Sequence, residues 1–327
     1  MMIESHSLLT AKPPRMHKIF IDGQTGTTGL QIKGRLSDRT DIEIIEIDFS
    51  ERKDSDAKQS IIDQSDLVIL CLPDDAAKDV IKNTKNSHTR FIDASTAHRL
   101  NPNWSYGMPE LTPFQREEIL SARYVSNPGC YPTGFLTAVT PLITAGVLPA
   151  NAAISINAIS GFSGGGRQLI EKYETSDKSH PVRPYSLTLQ HKHVPEMTKY
   201  SGLSTRPIFI PNVGNFYQGM LVSVPIHRSQ LVNNASVTEV HKIISDRYKE
   251  ERCIKVIPLN DEEQLTDGFL DPEGANETNR IDLFVYGHEE HILLIARLDN
   301  LGKGAAGAAV QNLNIMLRIK ELESLSV

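Results

Sequence analysis

Apolar runs of four to eight residues alternate with amphipathic stretches through the first part of the chain. Runs at 18–22 (KIFID), 42–48 (IEIIEID), 66–73 (DLVILCLP) and 90–95 (RFIDAS) read as buried strands. The segments between them, such as that through Leu30, Ile32 and Leu36, carry helical spacing. Strands alternating with helices predict a parallel, doubly wound sheet. A further strand-like run at 122–126 ends in the turn Pro128-Gly129, and an apolar helical segment follows from Pro132 to about residue 145. Beyond it the pattern changes. Strand-like runs at 152–158, 208–211, 220–227, 253–257, 281–286 and 291–298 lack regular crossovers, which predicts a mixed or antiparallel sheet, with helices at 168–173 and 237–248. A Gly-rich segment at 299–307 feeds a long helix whose apolar stripe holds Val310, Leu313, Met316 and Leu317. The expectation is an α/β chain: a Rossmann-type doubly wound parallel sheet plus an α+β catalytic domain with a mixed sheet. Residues 17–130 would form the first domain and 131–299 the second, with 300–327 returning to the first. Residues 1–16, polar and Pro-containing, read as a disordered extension.

Composition narrows the function classes. The chain has 327 residues, a formal net charge of −6 and no basic block, so a nucleic-acid groove is not indicated. No apolar run approaches a membrane span, and the N-terminus lacks the apolar core of a signal peptide. Cys71, Cys130 and Cys253 are widely spaced with no C-x-x-C pair, which argues against a disulfide framework and a zinc ribbon and fits a reducing, cytoplasmic compartment.

Candidate chemistry lies at the turns. Gly23-Gln24-Thr25-Gly26-Thr27-Thr28-Gly29 stands between a strand and a helix, the context of a dinucleotide-binding turn. Gly23 permits the tight turn, Gly26 the approach of a pyrophosphate, and Gly29 close helix packing. Asp48 suits a ribose 2′-hydroxyl, hence NAD, whereas Ser50, Arg52 and Lys53 suit a 2′-phosphate, hence NADP, towards which the reading leans. The strand ending near Ser95 is followed by Arg99, either an anion-binding fork or an exposed surface residue. Cys130 stands at the mouth of a helix, where free N–H groups and the helix dipole would lower its thiol pKa and favour a nucleophilic thiolate; a small buried side chain is the alternative. Residues 160–167 form a Gly-rich loop before a helix, an anion cradle with Arg167 as counter-charge, or a flexible linker. After a polar, Pro-rich stretch at 174–190 come His191 and His193. Two histidines at i, i+2 are a poor metal set, so no metal is expected, and acid/base catalysis is the functional reading.

Together the segments GQTGTTG, SNPGCYPTG, GFSGGGR, HKHVPE and DNLGKGAAGAAVQN resemble the N-acetyl-γ-glutamyl-phosphate reductase family, in the shorter of its two sequence variants, within the aspartate-semialdehyde dehydrogenase-like group. The likeness runs from about residue 17 onwards. It implies NADPH as cofactor, a Rossmann domain with a mixed-sheet catalytic domain, and reduction of an acyl phosphate in arginine biosynthesis through a thioester on Cys130. His193 is implied as acid/base because it stands just before Val194-Pro195-Glu196, with His191 as the runner-up. Cofactor contacts are implied for Gly23, Thr25, Gly26, Thr27, Gly29, Ser50, Arg52, Ser95, Asn300, Ala306 and Gly307. Substrate contacts are implied for Arg99, Gly161, Ser163 and Arg167, with the roles of the two arginines open. A small-molecule substrate and a homo-oligomer, a tetramer, built on the mixed sheet follow from the same likeness. The competing readings are a reductase of another acyl phosphate (aspartyl or aminoadipyl), a Cys-His hydrolase or acyltransferase, and a nucleotide sensor.

Overall fold

The computed structural model describes residues 16–327 apart from 49, 53 and 177–179. Most of the expected N-terminal extension and the Lys53 assignment therefore lie outside the described residues.

Six strands build the first sheet: β1 (His17–Asp22), β2 (Ile42–Ile45), β3 (Leu67–Leu70), β4 (Arg90–Asp93), β5 (Ser105–Tyr106) and β6 (Tyr124–Ser126), in the order β2-β1-β3-β4-β6-β5 with every pairing parallel. Ile19, Leu67 and Phe91 have no exposed surface, as expected of strands covered on both faces. The covering helices are α1 (Thr27–Leu36), α2 (Ser55–Gln64), α3 (Asp74–Asn83) and α4 (Gln115–Ser121). From β1 the chain turns one way to β2 and then crosses back to β3, so the order reverses between β1 and β3, where Asp22 faces Leu70. In doubly wound sheets the ligand crevice opens beyond the strand ends at such a reversal.

The connection between the two sheets is α5 (Cys130–Thr144). Its start differs from the sequence reading: the helix begins at Cys130 rather than Pro132, with Gly129 as N-cap. Phe135, Leu136, Val139 and Leu142 are fully buried against the second sheet, each contributing about 1.5–3 kcal/mol of transfer free energy. Pro141 has no N–H to return to the Thr137 carbonyl four residues back. The Tyr248 hydroxyl donates to that carbonyl instead at 3.0 Å, so the helix continues to Thr144 without a buried orphan there.

Seven strands form the second sheet: β7 (Ser155–Gly161), β8 (Arg183–Pro184), β9 (Ile208–Gly214), β10 (Met220–His227), β11 (Ile254–Val256), β12 (Ile281–Gly287) and β13 (His291–Leu298), ordered β11-β12-β13-β10-β7-β9-β8. Pairings β7·β9 and β11·β12 are parallel and the others antiparallel, the mixed sheet that the irregular strand spacing implies. Helices α6 (Gly166–Glu174), α7 (Val194–Ser201) and α8 (Val237–Tyr248) accompany it. The final helix, α9 (Gly307–Met316), is shorter than its pattern suggested. A wide turn over Gly302–Ala306 precedes it, and every residue of α9 is buried, not only one stripe. Ala309, Val310 and Leu313 join Ile19, Ile32 and Ile69 in one apolar cluster, so this helix completes the core of the first sheet.

Candidate active site

A cleft of about 710 Å³ lies where the two sheets meet. Its walls come from α1, the start of α5, the loop after β7, the segment around β8, and the wide turn before α9. Among the described residues no helix is long and apolar enough to cross a membrane.

Gly23 and Gly26 shape the first wall. Gly23 has φ +90°, and a Cβ there would come within 2.3 Å of the Cys71 carbonyl oxygen of β3's end, so only glycine lets the turn lie on the reversal point. Gly26 is the N-cap of α1 and offers no side-chain cap, which leaves first-turn N–H groups free, with Thr27 and Thr28 lining the cleft. An uncapped helix start at the crevice of a doubly wound sheet is a fitting seat for a dinucleotide pyrophosphate. Past β2, Asp48 Oδ1 accepts from the Ser50 backbone N–H at 2.8 Å and from its hydroxyl at 2.5 Å. Ser95 is folded back on Asp93, donating through N at 2.9 Å and through Oγ at 2.8 Å.

Cys130 occupies the first position of α5. Of the N–H groups that a helix start leaves unpaired, that of Gly129 donates to Glu196 Oε1 at 2.9 Å, Pro132 has none, and those of Cys130 and Tyr131 face the Cys130 sulfur. Burial nevertheless pushes the thiol up to about 11, against the Tyr131 and Cys130 N–H groups and the Arg99 charge, which lower it. The expected lowering of this thiol is thus corrected: the helix start acts in the anticipated direction, but desolvation outweighs it.

The two histidines differ. His191 accepts the His193 backbone N–H through Nδ1 at 3.1 Å, which leaves its own proton on Nε2, 3.4 Å from the Tyr185 hydroxyl. Burial and Lys192 lower its pKa to about 4. His193 Nδ1 is buried and has no hydrogen-bond partner among the described residues. Its Nε2 approaches Gly129 so closely that a Cβ there would lie 2.7 Å away, and Arg99 Nη1 would be 2.6 Å from the same point. Burial, with Arg99 and His191 adding to it, holds His193 well below the ordinary imidazole range. At rest the cleft holds a neutral thiol and a neutral imidazole.

Glu196, which the sequence reading used only as a landmark, ties the site together. It is 2% exposed and accepts from Arg99 Nη1 at 3.0 Å, the Tyr106 hydroxyl at 2.6 Å and the Gly129 N–H. Arg99 is buried, not a surface residue, and spends Nε on the Asn127 carbonyl and Nη2 on the Ala94 carbonyl. Arg167 is not brought to the cleft: its side chain is 76% exposed and pairs with Glu171 one turn along α6. Gly161 and Ser163 do line it, and Asn300 donates to the Ser163 hydroxyl at 2.9 Å while its Oδ1 accepts the Gly219 N–H. Ala306 and Gly307 instead face the interior, and Gly304 is the residue of this turn that meets Cys130. Sequence reasoning also passed over Arg183. It lines the cleft, donates to the Tyr173 hydroxyl at 3.0 Å, and has no carboxylate partner among the described residues. Lys172 and Lys192 are further cations on the same rim.

Comparison with known proteins agrees with this architecture. The model of the semialdehyde dehydrogenase NAD-binding domain matches residues 18–121, and that of the semialdehyde dehydrogenase dimerisation domain matches residues 130–300. N-acetyl-gamma-glutamyl-phosphate reductase 2 of Nostoc sp. (strain PCC 7120 / SAG 25.82 / UTEX 2576) is 50% identical over 314 residues, covering 93% of this chain and 98% of its own. The N-acetyl-gamma-glutamyl-phosphate reductase of Brucella suis (strain ATCC 23445 / NCTC 10510) is 48% identical over 309 residues, covering 92% and 98%. Among solved structures, aspartate semialdehyde dehydrogenase II from Vibrio cholerae superposes with a TM-score of 0.71 at 17% identity, over 93% of this chain and 99% of that one, a likeness of fold. A parallel nucleotide-binding sheet joined to a mixed sheet, a cysteine at the helix start between them, and half-identity over nearly the whole length place this chain in the N-acetyl-γ-glutamyl-phosphate reductase family, within the semialdehyde dehydrogenases.

Proposed function

We propose that the chain reduces N-acetyl-γ-glutamyl phosphate to N-acetylglutamate 5-semialdehyde and phosphate with NADPH, through a thioester on Cys130, as a cytoplasmic step of arginine biosynthesis. The observation that carries this reading is the meeting in one cleft of Cys130, neutral His193 and the uncapped start of α1. His193 takes the thiol proton as Cys130 attacks the acyl carbon, and the Cys130 and Tyr131 N–H groups stabilise the oxygen that becomes negative. The C–O bond to phosphate breaks, and the departing phosphate receives the proton that His193 holds. When bound, NADPH supplies the hydride that reduces the resulting thioester. Collapse of the hemithioacetal oxyanion breaks the C–S bond and releases the semialdehyde, and the thiolate then takes up a proton from solvent by way of His193, which restores the neutral thiol. Glu196 acts as a positioning residue, fixing Gly129 and holding Arg99 beside the sulfur.

In this reading the Ser50-Arg52 loop holds the 2′-phosphate, and the N–H and hydroxyl of Ser50, which now donate to Asp48 Oδ1, turn to it when NADPH binds. The test is the reverse reaction: phosphate-dependent oxidation of N-acetylglutamate semialdehyde with NADP should exceed that of aspartate semialdehyde, and NADP should exceed NAD, in kcat/KM. A preference for aspartate semialdehyde would replace this reading with the other acyl-phosphate reductase.

With Arg99 neutralised by Glu196 and Arg167 turned outward, Arg183 is the arginine that supports recognition of an anionic end of the substrate. Arg183→Ala is expected to raise KM for the acyl phosphate by roughly 10- to 100-fold, the loss of a charge-assisted hydrogen bond, and to leave KM for NADPH unchanged. Equal KM values for variant and wild type would remove Arg183 from the substrate site. The outer face of the second sheet, where Ile208 and Ile210 are exposed, supports a homo-oligomer, a tetramer in this reading, to be checked by the molar mass from light scattering.

A further inference from the structure

The turn joining β12 to β13 reads Gly287-His288-Glu289-Glu290-His291. Its closing hydrogen bond runs from the His288 N–H to the His291 carbonyl at 3.0 Å, which brings the side chains of 288 and 291 together. His288 Nε2 and His291 Nδ1 are 3.3 Å apart, and with a Glu290 carboxylate oxygen the ligand atoms lie within 4.8 Å of one another, all three residues exposed. We propose that His288, Glu290 and His291 bind a divalent transition-metal ion, zinc in the first instance, with water completing the coordination.

Distance and donor type carry the argument. Two nitrogens bound at about 2.0–2.1 Å to a tetrahedral ion are separated by about 3.3–3.4 Å, the edge of that tetrahedron. The His288–His291 spacing is already at this value, so the ligand pair needs little rearrangement. A shared N–H between the same two nitrogens would be long for a hydrogen bond. Two imidazoles and one carboxylate are donors that zinc accepts, and the exposure leaves room for water at the remaining position. Ligation through His288 Nε2 leaves that ring's proton on Nδ1, which gives up only a 3.4 Å contact from the Glu290 N–H. His227 pairs with His291 across the sheet, its ring 4.8 Å from that of His291, but it is not one of the three residues whose ligand atoms lie within 4.8 Å of one another and stands as a neighbour.

The site is remote from the chemistry. From His291, β13 runs eight residues to Leu298, just before Asn300 at the cleft, a path of about 25 Å. A metal here would clamp the hairpin between two strands of the sheet without touching the reacting atoms, so the proposal stands whatever the substrate.

Zinc titration followed by calorimetry, and by the visible spectrum with cobalt(II), tests it. One equivalent per chain is expected, in wild type and equally in Cys130→Ser, which removes the cleft thiol as a ligand. His288→Gln/His291→Gln should weaken binding at least about tenfold, and Glu290→Gln by less, with reductase activity within about twofold of wild type. Wild type should gain in thermal midpoint on adding zinc, and the double variant should not. Absence of saturable binding, or binding unchanged in both the double variant and Glu290→Gln, overturns the site. If the double variant fails to fold, Glu290→Gln alone decides.

Discussion

Cys130→Ser is expected to lower kcat/KM for acyl-phosphate reduction by on the order of 10⁴-fold or more while NADPH binding is retained. The size follows from the electrostatics of the pair. Burial pushes the thiol up to about 11 and holds His193 well below its ordinary range, so neither group is charged at rest. Attack therefore requires proton transfer during the step, which a sulfur makes feasible and an alkyl hydroxyl in the same place does not. His193→Gln should cost about 10²- to 10⁴-fold, the usual contribution of a positioned acid/base. His191→Gln should cost much less, since His191 acts through its bond to the His193 backbone N–H and its Nε2 is turned to Tyr185. A larger loss for His191 than for His193 would exchange their roles. The same pairing sets a pH signature in the free enzyme. Because the thiol pKa is raised, the reactive thiolate is scarce below it, and alkylation by iodoacetamide should still be accelerating at pH 10, towards a midpoint of about 11. Alkylation that levels off near neutrality would contradict the neutral pair.

The contrast with the sequence is instructive at particular residues. Strands such as Leu67–Leu70 were legible because a sheet covered on both faces demands unbroken apolar runs. The Gly23 turn and, to within two residues, the helix start at Cys130 were legible because both depend on local backbone chemistry. The net direction of the Cys130 thiol was not, since desolvation depends on what packs around the residue, and Gly304, from far along the chain, lies against its Cα and Cβ. Glu196 stayed hidden for the same reason: its partners Arg99 and Tyr106 lie 97 and 90 residues away. Arg183 sits in a polar stretch without periodicity, ordered through a two-residue strand that pairs with β9. Arg167 is the opposite case. Glu171 stands at i+4 from it, a spacing visible in the sequence that favours an exposed helical ion pair.

Lys303→Met is expected to be the most destabilising single replacement away from the cleft, by about 3–5 kcal/mol, because it strands a buried carboxylate. Lys303 is 1% exposed and Glu110 is not exposed at all. The Lys303 ammonium donates to both Glu110 oxygens at 2.8 Å and to Gln311 Oε1 at 2.6 Å, and Gln311 Nε2 returns a bond to Glu110 at 2.8 Å. Burial alone would raise the Glu110 pKa and lower that of Lys303; each partner reverses the other's shift, so Glu110 ends lowered and Lys303 raised. The depressed Glu110 contributes stability above the ordinary carboxylate range and loses it as pH falls through its folded value. The elevated Lys303 contributes below the ordinary ammonium range and loses it as pH rises through its own. The pair is therefore intact across the whole middle of the pH scale. Met keeps the bulk of the Lys303 side chain but removes its charge, so the cost measures the uncompensated Glu110. Lys303→Met/Glu110→Gln should recover at least half of the lost thermal midpoint, since no net charge is then buried, and a double variant no better than the single would show that the loss comes from packing. Function should fall with stability in Lys303→Met, because the turn that carries Lys303 also sets Gly304 against Cys130 and presents the Ala305 carbonyl to Asn127 at 2.9 Å. A buried ion pair thus fixes the turn before the final helix to the loop after β5, with Gln311 of that helix joining it, and holds one wall of the cleft in place.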